Sequence, residues 1–188
     1  MERKVNIECP VLEVTMKAVF INGSPRKGWN THKLMVKASE GAKDAGAEVQ
    51  FLDLYDLEPF TGCRSCFACK IKGSKTAGAC TYPDGLKPVM DAVRDADVLV
   101  LGTPIYLSQM KQIGYDQQFN YYGQQLGYMM GGRPAEMLYC NDAYQFADYS
   151  KYNISADRAD PVQKKKHLEE EYPKDLEKAY EMGKKIAQ

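Results

Sequence analysis

The 188-residue chain has no net charge, no apolar run of membrane-crossing length and neither of the common glycine-rich phosphate fingerprints. Lys plus Arg equal Asp plus Glu, 25 against 25. No global basic field therefore argues for nucleic acid as a partner. The missing apolar run argues against a membrane span. The first residues, MERKVNIECPVLEVTM, carry charges and Pro10 where a secretory signal needs an unbroken apolar core. A cytoplasmic location is the expectation, and in that compartment six cysteines read as thiols, cluster ligands or redox groups rather than structural disulfides. The absence of G-x-G-x-x-G and of G-x-x-x-x-G-K-[ST] removes support from dinucleotide and P-loop readings. The two histidines, His32 and His167, have no Ser, Cys or Asp spaced to suggest a triad, so no catalytic residue is assigned. The length fits one domain with a sizeable core, or one domain plus a tail.

What the chain does have is concentrated in KAVFINGSPRKGWNTHKL, Lys17 to Leu34. Ala18-Val19-Phe20-Ile21 has the length and β-branched character of a strand buried on both faces. The pattern breaks at Asn22-Gly23-Ser24-Pro25 and restarts at Asn30-Thr31 as a helix carrying Leu34, Ala38, Ala42 and Ala45. A strand that feeds a helix through a polar loop gathers free N–H groups and the positive end of the helix dipole, which suits a phosphate. Ser24, Asn30 and Thr31 can donate hydrogen bonds to it, and Arg26 supplies charge. The alternative is an ordinary connection whose Ser and Asn merely cap the helix.

GSPRKGWNT resembles the GSPR-x-x-x-NT loop of the flavodoxin-like NAD(P)H-dependent FMN reductase family, whose other branch is the iron–sulfur flavoproteins. The resemblance implies an α/β fold with a flavodoxin-like open parallel sheet and helices on both faces. It also implies that Ser24, Arg26, Asn30 and Thr31 hold an FMN phosphate. Doubly wound sheets bind ligands at the carboxyl ends of their strands, flavodoxin with FMN being a standing example. Further matches extend the resemblance over most of Lys17 to Tyr152, giving a leader at 1–16, an FMN-binding domain at 17–152 and a charged helical tail at 153–188.

After the first helix, Gly46 reads as its C′ residue and Glu48 to Leu54 as a second strand, parallel to the first. Cys63, Cys66 and Cys69 then form C-x2-C-x2-C, with Cys80 ten residues later. Three thiols at that spacing can converge on one cluster, and Cys80 can complete a 4Fe–4S set if its loop folds back. Zinc and plain free thiols stay open as alternatives. Asp84 can cap a helix through Leu86, Val89, Met90, Val93 and Ala96. The run from Asp97 to Leu101 reads as a doubly covered third strand. It leads into GTPIY, a second family match, in which the resemblance makes Thr103, Pro104, Ile105, Tyr106 and Leu107 contacts of the isoalloxazine ring.

From there the chain departs from the family. About one helix and one strand are absent before a later helix carrying Phe119, Tyr122, Leu126 and Met129, with Gly131 as its stop. The expected consequence is either a last strand paired directly with the third or an open edge that a partner chain fills. Ala135 to Cys140 reads as that last strand. NDAYQFADYSKY after it resembles a family tail and places Asn141, Asp142 and Tyr144 on the ligand face. Leu176, Ala179, Tyr180, Gly183 and Ile186 mark a final helix with Pro173 in its first turn. His167 is expected in solvent, while His32 can face the phosphate.

The family implies two-electron reduction of bound FMN by NAD(P)H, with delivery to free flavin, a quinone, or another small-molecule or protein acceptor. It also implies a homodimer or higher homo-oligomer. Two other functions stay open: an iron–sulfur flavoprotein in one-electron transfer, and a shortened flavodoxin-like interaction module without activity.

Overall fold

The computed structural model describes residues 15–104, 121, 123–125, 127–128, 135–140, 143–152 and 160–188. The expected leader up to residue 14, ring-loop residues Ile105, Tyr106 and Leu107, tail residues Asn141 and Asp142, and Phe119, Tyr122, Leu126, Met129 and Gly131 lie outside them. Three parallel strands form one sheet in the order β2-β1-β3: β1 Lys17–Asn22, β2 Glu48–Asp53 and β3 Val98–Gly102. Placing the first strand between the second and third is the doubly wound arrangement, and it brings Asn22, Asp53 and Gly102 side by side at the carboxyl end.

The central strand β1 is buried from Ala18 onward, as its apolar run requires. The strands beside it are not. β3 is half-buried: Val98 and Val100 pack on the side of the first helix and Leu99 on the side of the second, while Leu101 is 56% exposed, so the expected double cover is partial. Among the described residues β3 pairs with β1 alone and forms an edge of the sheet, which explains its exposure.

Helix α1, Asn30–Asp44, turns Met35, Ala38, Ser39, Gly41 and Ala42 inward. It ends as expected. The Gly46 backbone adopts φ 94°, and its N–H donates to the Lys43 carbonyl at 2.9 Å. Helix α2, Lys87–Arg94, covers the other face, where Val89 meets Val19 and Ile21. Its start is fixed by Asp84, whose carboxylate accepts from the N–H groups of Leu86 and Thr61, both at 3.0 Å.

The charged region after residue 160 is helical and belongs to the core. Helix α3, Pro161–Glu170, is capped by Asp160, which accepts from the Val162 N–H at 2.9 Å. Helix α4, Tyr172–Ile186, buries Tyr172, Asp175, Ala179 and Gly183, a 3-4-4 stripe. This stripe lies against the small-residue face of α1. At Gly41 and Gly183 the two helix backbones approach so closely that each would collide with a Cβ on the other. Ala179 joins Ala18, Phe20, Met35, Ala38 and Ala42 in the main core.

Residues 135–140 are not the last strand their composition suggests; they have no ladder partner among the described residues. Leu138 instead packs on the α1–α4 side of the sheet, and Glu136 pairs with Lys185 of α4. His167 also departs from expectation: its Nε2 is buried and makes no hydrogen bond with the described residues.

Candidate functional site at the carboxyl end of the sheet

The site grows from Asn22, the last residue of β1 and fully buried. The parallel register sets it opposite Asp53 on β2. Its Nδ2 donates to Asp53 Oδ1 at 2.6 Å, and its Oδ1 accepts from the Ser24 backbone N–H at 3.1 Å. One amide thus satisfies the strand end and bends the chain into the loop. Gly23 donates its N–H to the Gly102 carbonyl at 2.7 Å, so the loop after β1 and the loop after β3 start from the same point. A Cβ at Gly23 would stand 3.2 Å from that carbonyl oxygen, which favours glycine there.

Ser24 is buried, and its hydroxyl oxygen accepts from the Arg26 N–H at 3.2 Å. Its proton is left to donate elsewhere. Gly28 takes φ 71°, a turn that brings the chain to Trp29. Trp29 is the N-cap of α1 and provides no side-chain cap. Ser24 and Asn30 do not cap the helix either, which removes the simple capping alternative: Asn30 Nδ2 instead donates to the Tyr144 carbonyl at 2.9 Å. Among the described residues no side chain caps the first-turn N–H groups, which can therefore serve an outside acceptor. No acidic residue occurs between Gly23 and Lys33. The carboxylates of Asp53 and Asp56, at and just after the end of β2, are engaged by Asn22 and Lys27. The resulting set, composed of N–H groups, the Ser24 and Thr31 hydroxyls and the Arg26 guanidinium, is a donor set suited to a phosphate dianion.

Arg26 lies with its guanidinium carbon 3.6 Å from the Trp29 ring centre, and one of its N–H groups donates to the Gln145 carbonyl at 2.7 Å. Ser24, Arg26, Asn30 and Tyr144 are therefore gathered at one end of the sheet, and Thr31 is half-buried in the first turn. Thr103 and Pro104 begin the adjacent loop, with Thr103 exposed. His32 is not directed at the loop by any described contact; its ring meets Phe51 edge-on at 5.6 Å.

Several residues of the site escape reading from sequence. Asn22, Trp29, Gln145, Tyr149 and Tyr172 all hold it together. Tyr172 donates its hydroxyl to the Asn30 carbonyl at 3.2 Å, tying α4 to the first turn of α1. Beside it, burial pushes the Cys140 thiol up to about 12, and the neighbouring Asp175 carboxylate adds to the effect. The Tyr172 hydroxyl is raised as well, mainly by burial. Of these residues, only Asn22 had a legible signal, because it ends a strand whose parallel neighbour ends in Asp53.

The cysteine segment presents a different picture. Cys63, Cys66 and Cys80 are exposed and Cys69 is half-buried. Among the described residues no three His, Cys, Asp or Glu side chains come together as a metal-ligand set. As placed, these four thiols do not fit a cluster.

A parallel sheet in switch-point order, with a donor-lined loop between its first strand and first helix, defines a flavodoxin-like α/β fold. The chain belongs to the NADPH-dependent FMN reductase family, whose family model matches residues 16–110. It is 33% identical over 93 residues to an iron–sulfur flavoprotein of Methanocaldococcus jannaschii, covering 48% of this chain and 44% of that protein. A second iron–sulfur flavoprotein, from Archaeoglobus fulgidus, is 36% identical over 98 residues, covering 52% and 45%. The chain thus spans about half the length of the relatives it matches. A solved flavone reductase aligns with 92% of this chain and 62% of its own, at 19% identity and a TM-score of 0.43.

Proposed function

We propose that this protein is an FMN-binding oxidoreductase that takes electrons from NAD(P)H and passes them to a small-molecule or protein acceptor. The observation that carries the proposal is the β1–α1 loop: a buried Ser24, an uncapped first turn and an acid-free stretch around Arg26. Membership of the FMN reductase family supports the same ligand. In this reading Ser24, Asn30 and Thr31 donate to the phosphate, and Arg26 balances its charge. The loop that starts at Thr103 and Pro104, tied to Gly23 through Gly102, provides one wall for the ring. Bound FMN supplies the hydride and electron chemistry, and the protein binds, orients and excludes water. No acid–base side chain is needed, and none is assigned.

The test is the visible spectrum of the purified full chain titrated with FMN. A shifted flavin band with quenched fluorescence at saturation is expected, followed by bleaching when NADPH or NADH is added. A flavin spectrum unchanged by excess protein overturns the proposal and leaves the interaction-module reading standing. Ser24→Ala and Thr31→Ala should each weaken FMN binding by about 1 kcal/mol; unchanged affinity in both variants refutes the phosphate assignment.

An iron–sulfur flavoprotein is the second reading. It is favoured by the C-x2-C-x2-C spacing of Cys63, Cys66 and Cys69 and by the names of the relatives. The arrangement of the thiols does not fit it, and no electron route is drawn through them. Iron and labile-sulfide analysis of anaerobically purified protein decides: both present supports it, neither present excludes it.

A further inference from the structure

Two of the four side chains expected to meet the phosphate, Arg26 and Asn30, are already held by another part of the chain. Their partners are the backbone carbonyls of Gln145 and Tyr144, at 2.7 and 2.9 Å, from residues 119 and 114 positions away. These carbonyls are neighbours on a short segment, residues 143–152, that is braced internally. The Gln145 N–H donates to the Tyr149 hydroxyl at 3.0 Å. Tyr149 meets Tyr144 at 5.0 Å and Phe146 edge-on at 5.2 Å, while Phe146 also meets Tyr152 at 4.2 Å. Asp148 fixes the following turn by accepting from the Ser150 N–H at 3.0 Å and its hydroxyl at 2.6 Å. These rings brace the segment on itself.

Each carbonyl consumes one donor and leaves others. Arg26 retains further N–H groups, and Asn30 retains a second amide proton. A flexible exposed Arg loses side-chain entropy when it meets an anion; one stacked on Trp29 and bonded to a fixed carbonyl has lost much of it already. The segment thus orients donors without exhausting them.

We infer that residues 143–152 form an aromatic clasp that preorganises the phosphate end of the flavin site, with Tyr149 as its positioning residue. This rests on the FMN reading above. Tyr149 touches neither Arg26 nor Asn30 in any described polar contact; it acts through Gln145, whose peptide it holds by accepting the N–H. The clasp therefore discriminates between ligands with and without a terminal phosphate, since it supports only the groups at that end.

The experiment measures the dissociation constants of FMN and riboflavin for the full-length wild type and Tyr149→Phe by fluorescence quenching. Phenylalanine keeps the ring contacts and removes only the acceptor. The wild type should prefer FMN, and Tyr149→Phe should lose roughly three- to tenfold in FMN affinity, the worth of one hydrogen bond, with riboflavin affinity unchanged. Arg26→Ala should lower the FMN preference in the wild-type background and lower it less in Tyr149→Phe. If the wild type binds FMN no tighter than riboflavin, the phosphate reading itself fails and takes the clasp with it. If the wild type prefers FMN and Tyr149→Phe keeps that preference, or loses both ligands equally, the clasp alone is overturned.

Discussion

The crossing of α1 and α4 can be tested with a single methyl group. Gly183 lies where the α4 backbone meets the Ala38 peptide of α1: a Cβ there would sit 2.7 Å from the Ala38 carbonyl carbon and 3.0 Å from its Cα, and closer still to its oxygen. These are backbone atoms, so no rotamer change relieves the clash; the helices must separate. Overpacking of this kind costs about 1–3 kcal/mol. Against it stands the better helix propensity of alanine, worth about 1 kcal/mol in an exposed helix. Because the clash is backbone on backbone, the upper part of the packing range applies, and Gly183→Ala should destabilise by about 2 kcal/mol. With a urea dependence of about 2 kcal/mol per M, the unfolding midpoint followed by far-ultraviolet circular dichroism should fall by about 1 M. Gly62→Ala is the control: no atom lies within 4 Å of its Cβ position, and its stability should stay within about 0.5 kcal/mol. Gly41→Ala pushes on the same interface, 2.9 Å from the Tyr180 carbonyl carbon. The double variant should therefore lose less than the sum of the singles, because the second methyl enters a gap the first has opened. A Gly183→Ala midpoint equal to or above the wild type refutes the close approach.

Two further outcomes follow from the same contacts. Asn22→Ala leaves the buried Ser24 N–H and the Asp53 carboxylate without their partner, and should cost about 1–3 kcal/mol in chemical denaturation; a loss below 0.5 kcal/mol, on the order of a neutral surface change, would show that the strand end is not held this way. Cys140 titrates near 9.0 when unfolded and near 12 when folded, so the folded state keeps a proton the unfolded chain releases. Its contribution is fully present below about pH 9 and is lost as pH rises toward 12. Urea midpoints should fall across the accessible part of that window, and Cys140→Ala should fall less steeply; parallel curves would remove Cys140 from the account.

Elements with a local signal were legible. The apolar run of β1, the break at Asn22–Pro25, the restart at Asn30 and the stop at Gly46 each follow from residues within a few positions of the event. The bonds that finish the site are long-range and leave no periodic trace: Arg26 and Asn30 find main-chain carbonyls, which any residue carries, more than a hundred positions away. The last helix was visible, but its role was hidden. Its inward stripe shares Ala179 and Gly183 with the helical spacing read from sequence but also uses Asp175, which reads as polar and is buried with Lys178 as its partner. The error at 135–140 has the opposite origin. Ala135 to Cys140 has strand-like apolar content, but a strand is defined by its neighbour, and Leu138 is spent on the helix side instead.

The Tyr172–Asn30 and Tyr180–Asp44 bonds join positions 142 and 136 residues apart. During synthesis α1 leaves the ribosome early, while the helix that fills its glycine-lined groove is made much later. Until residue 183 has been translated, α1 has the β1–β2 sheet to pack on, but its Gly41 face lacks the helix that fills it, and local pairing cannot substitute for that contact. The nascent chain therefore carries that one face uncovered while residues 45–171 are made, an interval in which holding chaperones have something to grip.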